Sequence, residues 1–294
     1  MNANNSRREA LLFLMAIICG AVTAIIFAPS ALKLFGFSNM TIQEIITRPE
    51  ESVGRSLLLY QGTGTVLMFL LPGVFIINRW SQGNNIPQLK KNKWGFVDTL
   101  LALALLPLLL PLMDWLSSLW NTLGQKIPLL SDLFDQYDAN TALIEKMIFL
   151  PSIGDSIFSV LVFVIIAAIS EEIFFRGAIQ RMLHNNRKPY AAILLGATAF
   201  AIGHMNIVQL PFLIIAGSSL GFIYWISGRI WVSISAHVLH NGLTYFWTLS
   251  SGPGSYGEPS EATLGTWQIL LCTILALSAG FALMKMQKRV LLDR

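Results

Sequence analysis

Apolar residues run on through whole segments of this chain, separated by short polar stretches, and eight of these runs are long enough to read as membrane spans. They fall at roughly 10–32, 56–77, 98–119, 153–183, 189–205, 207–227, 229–250 and 265–286. The links at 205–207 and 227–229 leave room only for tight helical hairpins. The first run follows basic residues and could be read as a secretory signal, but its apolar core exceeds the usual length, so it reads as a retained helix. The expected fold is all-α: a polytopic bundle of about eight transmembrane helices forming one integral-membrane domain over 1–294. No internal repeat or low-complexity segment interrupts it. The stretch from about 120 to 150 sets Leu129, Leu130, Leu133, Phe134 and Ile144 among acids, which suits either an amphipathic surface helix or a plain connector.

Composition agrees with this pattern. Of 294 residues, 54% are hydrophobic and 12% charged, and the mean hydropathy is +0.61, which excludes an ordinary soluble domain. Charge then orients the bundle, because Lys and Arg favour cytoplasmic loops. Arg7 and Arg8, Arg79 with Lys90, Lys91 and Lys93, Arg181 with Arg187 and Lys188, Arg229, and Lys285 with Lys288 and Arg289 mark alternate links. In the intervening links Glu44, Glu50 and Glu51 outweigh Arg48 and Arg55, Asp132, Asp135, Asp138 and Glu145 outweigh Lys126 and Lys146, and Glu258 and Glu261 stand alone. Both termini are therefore expected in the cytoplasm, with the bacterial inner membrane as the expected location. The net charge of +4 reads as an orientation signal rather than a nucleic-acid footprint. Cys19 and Cys272 fall within apolar runs, where a small thiol packs without a disulfide.

A few ionisable residues break the apolar runs, and an intramembrane carboxylate or imidazole is costly unless it faces a partner or a water-filled space. Glu171 and Glu172 lie in the fourth run, His204 in the fifth and His237 in the seventh. On a helix, Glu172 and Arg176 share a face four residues apart, so the guanidinium can neutralise that carboxylate and leave Glu171 available as a base. Phe200 and His204 also share a face, and Gly203 allows close approach of another helix. His237 and Asn241 are one turn apart and could donate to one developing oxyanion, with His240 on a flanking line as a support. Counted from the basic links, Glu171 and His204 each lie about 20 Å deep and His237 about 12 Å. The three could therefore meet in a cavity opening to the cytoplasm.

The patterns Glu171-Glu172-x-x-x-Arg176, Phe200-x-x-x-His204 and His237-x-x-x-Asn241, in this order, resemble the CPBP family of CAAX prenyl endopeptidases and Abi-like intramembrane proteases. The resemblance covers about 160–250. It implies a catalytic core at about 153–250, with scaffold helices in 1–120 and 265–286. It further implies that Glu171 and His204 activate a water, that His237 and Asn241 stabilise the oxyanion, and that Glu172 and Arg176 orient the site beside Phe200. A membrane protein or peptide in the lipid bilayer is the implied substrate, with CAAX-type cleavage or peptide maturation as possible reactions. The cofactor stays unknown. Glu171, His204 and His237 could furnish three zinc ligands with an open water position, yet no His-Glu-x-x-His pattern is present, and a glutamate mechanism without metal also suits the family. The same polar core could instead serve a proton-coupled carrier or a maturation factor, although the halves of the chain show no matching interrupted helices of the kind transporters use.

Overall fold

A computed structural model of the chain describes residues 18–27, 51–81, 94–128, 141, 143–186, 188–256 and 265–292. The described residues form a polytopic bundle of helices without strands. Helix α1 is Ile18–Phe27. Helix α2 comprises Glu51–Thr65 and Leu71–Ser81, joined by a π-helical turn at Val66–Leu70. Helix α3 is Phe96–Gly124, and a short helix α4 covers 143–148. Helix α5 runs through Ile153–Val160, Ala167–Glu171 and Arg181–Asn186, with π-helical segments at Leu161–Ile166 and Glu172–Gln180. Then follow α6, Pro189–Gly203; α7, Leu210–Ser227; α8, Ile230–Ser251; and α9, Thr266–Leu292.

Five stretches are long and apolar enough to cross a bilayer: Val53–Arg79, Phe96–Gly124, Ile153–His184, Leu210–Ser227 and Thr266–Met286. Helix α6 is apolar but shorter. Helix α8 is long enough, with 22 residues, but its serines, histidines and Asn241 dilute its hydropathy. Each expected run corresponds to a helix, with the ends displaced by a few residues. The first is described only over 18–27. Most of the expected surface segment at 120–150, including Leu129 to Phe134, lies outside the described residues, as do the Glu44 and Lys90–Lys93 loop charges.

The helix ends follow local chemistry. Gly95 donates its N–H to Asp98 Oδ2 at 2.7 Å, which satisfies one of the free groups at the start of α3. Ser152 caps α5 by accepting from the Asp155 N–H at 3.1 Å. The Asp155 carboxylate is then held by both Nε and Nη2 of Arg55, at 2.7 and 2.8 Å, which fastens the N-terminal end of α2 to α5. Gly228 closes α7 with φ of 61°, a left-handed conformation that costs glycine no steric strain and lets the chain reverse directly into α8.

Helix α3 is the spine of one half: α7, α8 and α9 pack on it around Leu106, Met113, Leu220, Ile223 and Leu283. The second half joins α2, α5, α6 and α7 around Phe174, Phe175, Phe200 and Leu213. Small residues bring these helices close. A Cβ on Gly73 would stand 3.1 Å from the Phe174 Cα, and one on Gly217 the same distance from the Ala197 Cα. Where helices in lipid lack a hydrophobic drive to associate, such contacts supply the packing.

Candidate active site

The two glutamates occupy the junction in α5 where an α-helical segment ends and a π-helical one begins. Interruptions of this kind are frequent at functional sites because they re-aim side chains along the helix. Here they send adjacent carboxylates to different partners. Glu172 is fully buried, and its Oε1 lies 2.9 Å from His237 Nδ1 and 3.0 Å from Arg176 Nη1. Its Oε2 accepts a short hydrogen bond from Ser233 Oγ. The expected Glu172–Arg176 pair is therefore present, and two groups of α8 join it.

Arg176 is itself buried. Its Nη1 makes ion-pair contact with Glu172 off the hydrogen-bond angle, while Nη2 donates to the Gly217 carbonyl of α7 at 3.0 Å. Its Cζ stands 4.6 Å above the Phe200 ring, a cation–π arrangement. One turn on, Gln180 repeats the pattern by donating to the Gly221 carbonyl at 2.8 Å. Glycine at 217 and 221 leaves both carbonyls accessible, and a Cβ on Gly221 would stand 2.7 Å from Gln180 Oε1.

Glu171 faces the two imidazoles. Its Oε2 lies 3.6 Å from His204 Nε2 and 3.7 Å from His237 Nε2. The far nitrogens fix what these edges offer. His204 Nδ1 is 2.8 Å from the Phe200 carbonyl, which can only accept, so Nδ1 carries a hydrogen. His237 Nδ1 likewise donates to the Glu172 carboxylate. In the neutral rings, both Nε2 atoms then present lone pairs towards Glu171. These separations exceed a direct hydrogen bond and suit a small molecule shared between the groups.

His204 does not lie within a helix as the apolar run suggests. Helix α6 ends at Gly203, His204 is its cap, and Met205 adopts φ of 48°. The run reaches 205 because Met205 is apolar, whereas the left-handed turn there breaks the helix. Gly203 is a close-approach point as expected, since a Cβ there would meet Phe175 Cζ at 2.9 Å. The Phe200 ring lies between the parts, with centroids 4.4 Å from His204 and 6.0 Å from His237. Asn241, one turn beyond His237, spends one amide hydrogen on the Phe163 carbonyl of α5 at 3.1 Å. His240 is buried and stacks on Phe212 of α7, with centroids 5.5 Å apart.

Ser233, Gln180 and the Gly217–Gly221 pair were missing from the sequence reading, although a signal existed. Ser233, His237 and Asn241 share a four-residue interval, as do Glu172, Arg176 and Gln180, so extending each stripe by one turn finds Ser233 and Gln180, whereas the α7 glycines lie on neither stripe. For the zinc reading, Glu171, His204 and His237 bear suitable donor types, but among the described residues no group of three His, Cys, Asp or Glu side chains is placed to hold a metal ion. No chemistry below passes through a metal centre.

Residues 153–243 match the family model for Type II CAAX prenyl endopeptidase Rce1-like. Over these residues the chain is similar to the CPBP and CAAX protease family. The match takes in α5, α6, α7 and α8 as far as Leu243, so it includes Asn241, while α1 to α4 and α9 lie outside it. That likeness, together with five helices long and apolar enough to cross a membrane, supports the general class of CAAX-type intramembrane endopeptidase. No curated protein and no solved structure matches the chain.

Proposed function

We propose that this CAAX-protease-family protein hydrolyses a peptide bond with a water held by Glu171 and His204. The observation that carries the reading is the convergence of Glu171, His204 and His237, from three helices, on one spot with separations of 3.6 and 3.7 Å. Glu171 removes a proton from the water as its oxygen attacks the scissile carbonyl carbon. The resulting oxyanion accepts from His237 Nε2, when that ring is protonated with Glu172 as counter-ion, and from the Asn241 amide hydrogen not engaged by Phe163. As the C–N bond breaks, the proton on Glu171 passes to the leaving amine. The products are a carboxylic acid and an amine, with no oxidant or reductant consumed.

Glu172, Arg176, Ser233 and Phe200 hold the imidazole of His237 and the α5–α7 contact in place. The catalytic core is then 153–250, and the remaining helices are scaffold. Loop charge supports insertion in a bacterial inner membrane with both termini inside. The test is comparison of membrane-protein and peptide termini in cells carrying wild-type protein or Glu171→Gln: new termini should depend on Glu171. Identical terminal profiles in the two strains, at equal protein levels, would remove the peptidase reading.

A further inference from the structure

We infer that Phe69 of α2 is a positioning residue for His204, acting through Phe175 of α5 and the backbone of Gly203. Its link to turnover rests on the peptidase reading; its geometry does not. Phe69 lies outside the matched segment 153–243, in a part of the chain that carries no motif.

His204 needs support that its own helix does not give. Helix α6 ends at Gly203, and the His204 N–H donates to the Ala201 carbonyl, three residues back, in place of the four-residue helical bond. The Phe200 carbonyl, which that helical bond would have used, accepts instead from the ring at Nδ1. Met205 then departs in the left-handed region, so no following helical turn fixes the histidine from the other side. Water activation nevertheless requires Nε2 to stay within reach of Glu171, 3.6 Å away. A misplacement of about 1 Å can cost on the order of 10²-fold in rate.

The support comes from aromatic rings behind the end of α6. Gly203 presents no side chain there: a Cβ would stand 2.9 Å from Phe175 Cζ and 3.9 Å from Phe69 Cε1, so the backbone that carries His204 rests directly against both rings. The Phe69 ring centroid is 5.4 Å from those of Phe174 and Phe175, which are 5.0 Å apart and nearly perpendicular. Phe175 in turn meets Phe200 edge to face at 5.2 Å, and Phe200 stacks on the His204 imidazole. Each spacing is that of a favourable aromatic pair. Phe174 and Phe175 are buried and cannot yield while Phe69 is in place. Truncating Phe69 opens a cavity into which its neighbours relax, and Phe175 then draws away from Gly203.

Helix α2 delivers Phe69 by its π-helical turn at Val66–Leu70, which packs on the π-helical segment Glu172–Gln180 of α5. Such turns re-aim side chains along a helix. This one is seated from two sides. Gly73 brings α2 against the backbone of Phe174, and a Cβ on Gly20 of α1 would stand 3.2 and 3.3 Å from the carbonyl oxygens of Leu67 and Met68. Helix α2 thus contributes one residue to the working of the catalytic core.

The test uses the full chain in detergent, isotope-labelled at histidine. The His204 Nδ1 proton is assigned by its loss in His204→Ala, and its exchange with solvent is followed by NMR. Phe69→Ala should speed that exchange at least tenfold, because a ring free to swing releases the Phe200 carbonyl, whereas Phe69→Leu, which keeps most of the bulk, should stay within about twofold of wild type. With an internally quenched apolar peptide as substrate, Phe69→Ala should lower kcat about tenfold and leave KM within about twofold, and Phe69→Leu should recover most of the rate. Leu58→Ala, at a fully buried α2 position in a different cluster, should lower the unfolding temperature but leave exchange and kcat near wild type. Unchanged exchange in Phe69→Ala, equal acceleration in Leu58→Ala, or a His204 proton already in fast exchange in the wild type overturns the inference. Accelerated exchange with an unchanged kcat overturns it as well. Where Phe69→Ala does not fold, Phe69→Val takes its place, and anything under about threefold acceleration is then the overturning result. If exchange accelerates as expected while the wild type cleaves the probe no faster than Glu171→Gln, the positioning stands and the peptidase reading fails.

Discussion

His237 Nδ1 lies 2.9 Å from Glu172 Oε1, so the second glutamate of the pair holds an imidazole as well as the Arg176 guanidinium. A carboxylate in this position fixes the tautomer and the plane of the ring, and with them the edge that His237 turns to Glu171. The neighbouring carboxylates therefore have different duties, and substitution should separate them.

Glu171→Gln keeps the volume of the side chain and removes its charge. It should leave the unfolding temperature in detergent within a few degrees of wild type and reduce hydrolysis below a tenth of the wild-type rate. Glu172→Ala leaves Arg176 buried without its counter-charge and should destabilise by about 3–5 kcal/mol. Equal unfolding temperatures for the two variants would refute this division.

Ser233→Ala removes one of the hydrogen bonds to the buried Glu172 carboxylate. A loss of about 1.5–3 kcal/mol is expected for a hydrogen bond to a charged group. Because Glu172 also sets the His237 ring, kcat should fall by more than KM rises. Ser233→Thr restores the hydroxyl and should recover part of the rate. A Ser233→Ala protein with wild-type kcat would detach Glu172 from His237 function.

Gly217→Ala places a Cβ 3.1 Å from the Ala197 Cα and 3.2 Å from Phe200 Cδ1. Backbone cannot yield as a side chain does, so α7 must withdraw from α6, at an expected cost of about 1–3 kcal/mol. The Arg176 bond to the Gly217 carbonyl should lengthen with it. Gly221→Ala meets the end of a side chain, Gln180 Oε1, and should be the milder change. Thermal unfolding of the two variants side by side checks the order.

Asn241→Ala should lower kcat by roughly 10²- to 10³-fold with little change in substrate affinity, as expected for loss of one oxyanion donor. The same preparation addresses the metal. Active wild-type protein should contain well under one equivalent of transition metal and keep its rate in chelator. Stoichiometric zinc, lost together with activity in His204→Ala, would instead make Glu171, His204 and His237 ligands.

The long apolar runs determined the bundle, because a helix in lipid must satisfy its own backbone and the required length is set by bilayer thickness. The Glu172–Arg176 pair was legible for a similar reason: four residues along one helix fix the neighbourhood whatever surrounds it. The end of α6 was not. Met205 is itself apolar, so hydropathy carried the fifth run on to the turn at which the backbone enters the left-handed region. Nor could spacing along separate helices decide that His204 and His237 meet at Glu171, or that Ser233 and His237 share Glu172. Those contacts follow from how closely α5, α6, α7 and α8 approach, which Gly203, Gly217 and Gly221 permit only when a particular neighbour faces each of them. Tertiary packing alone decided which carboxylate faces two imidazoles and which is buried among its partners, because adjacent residues on one helix are distinguished only by what the other helices bring to them.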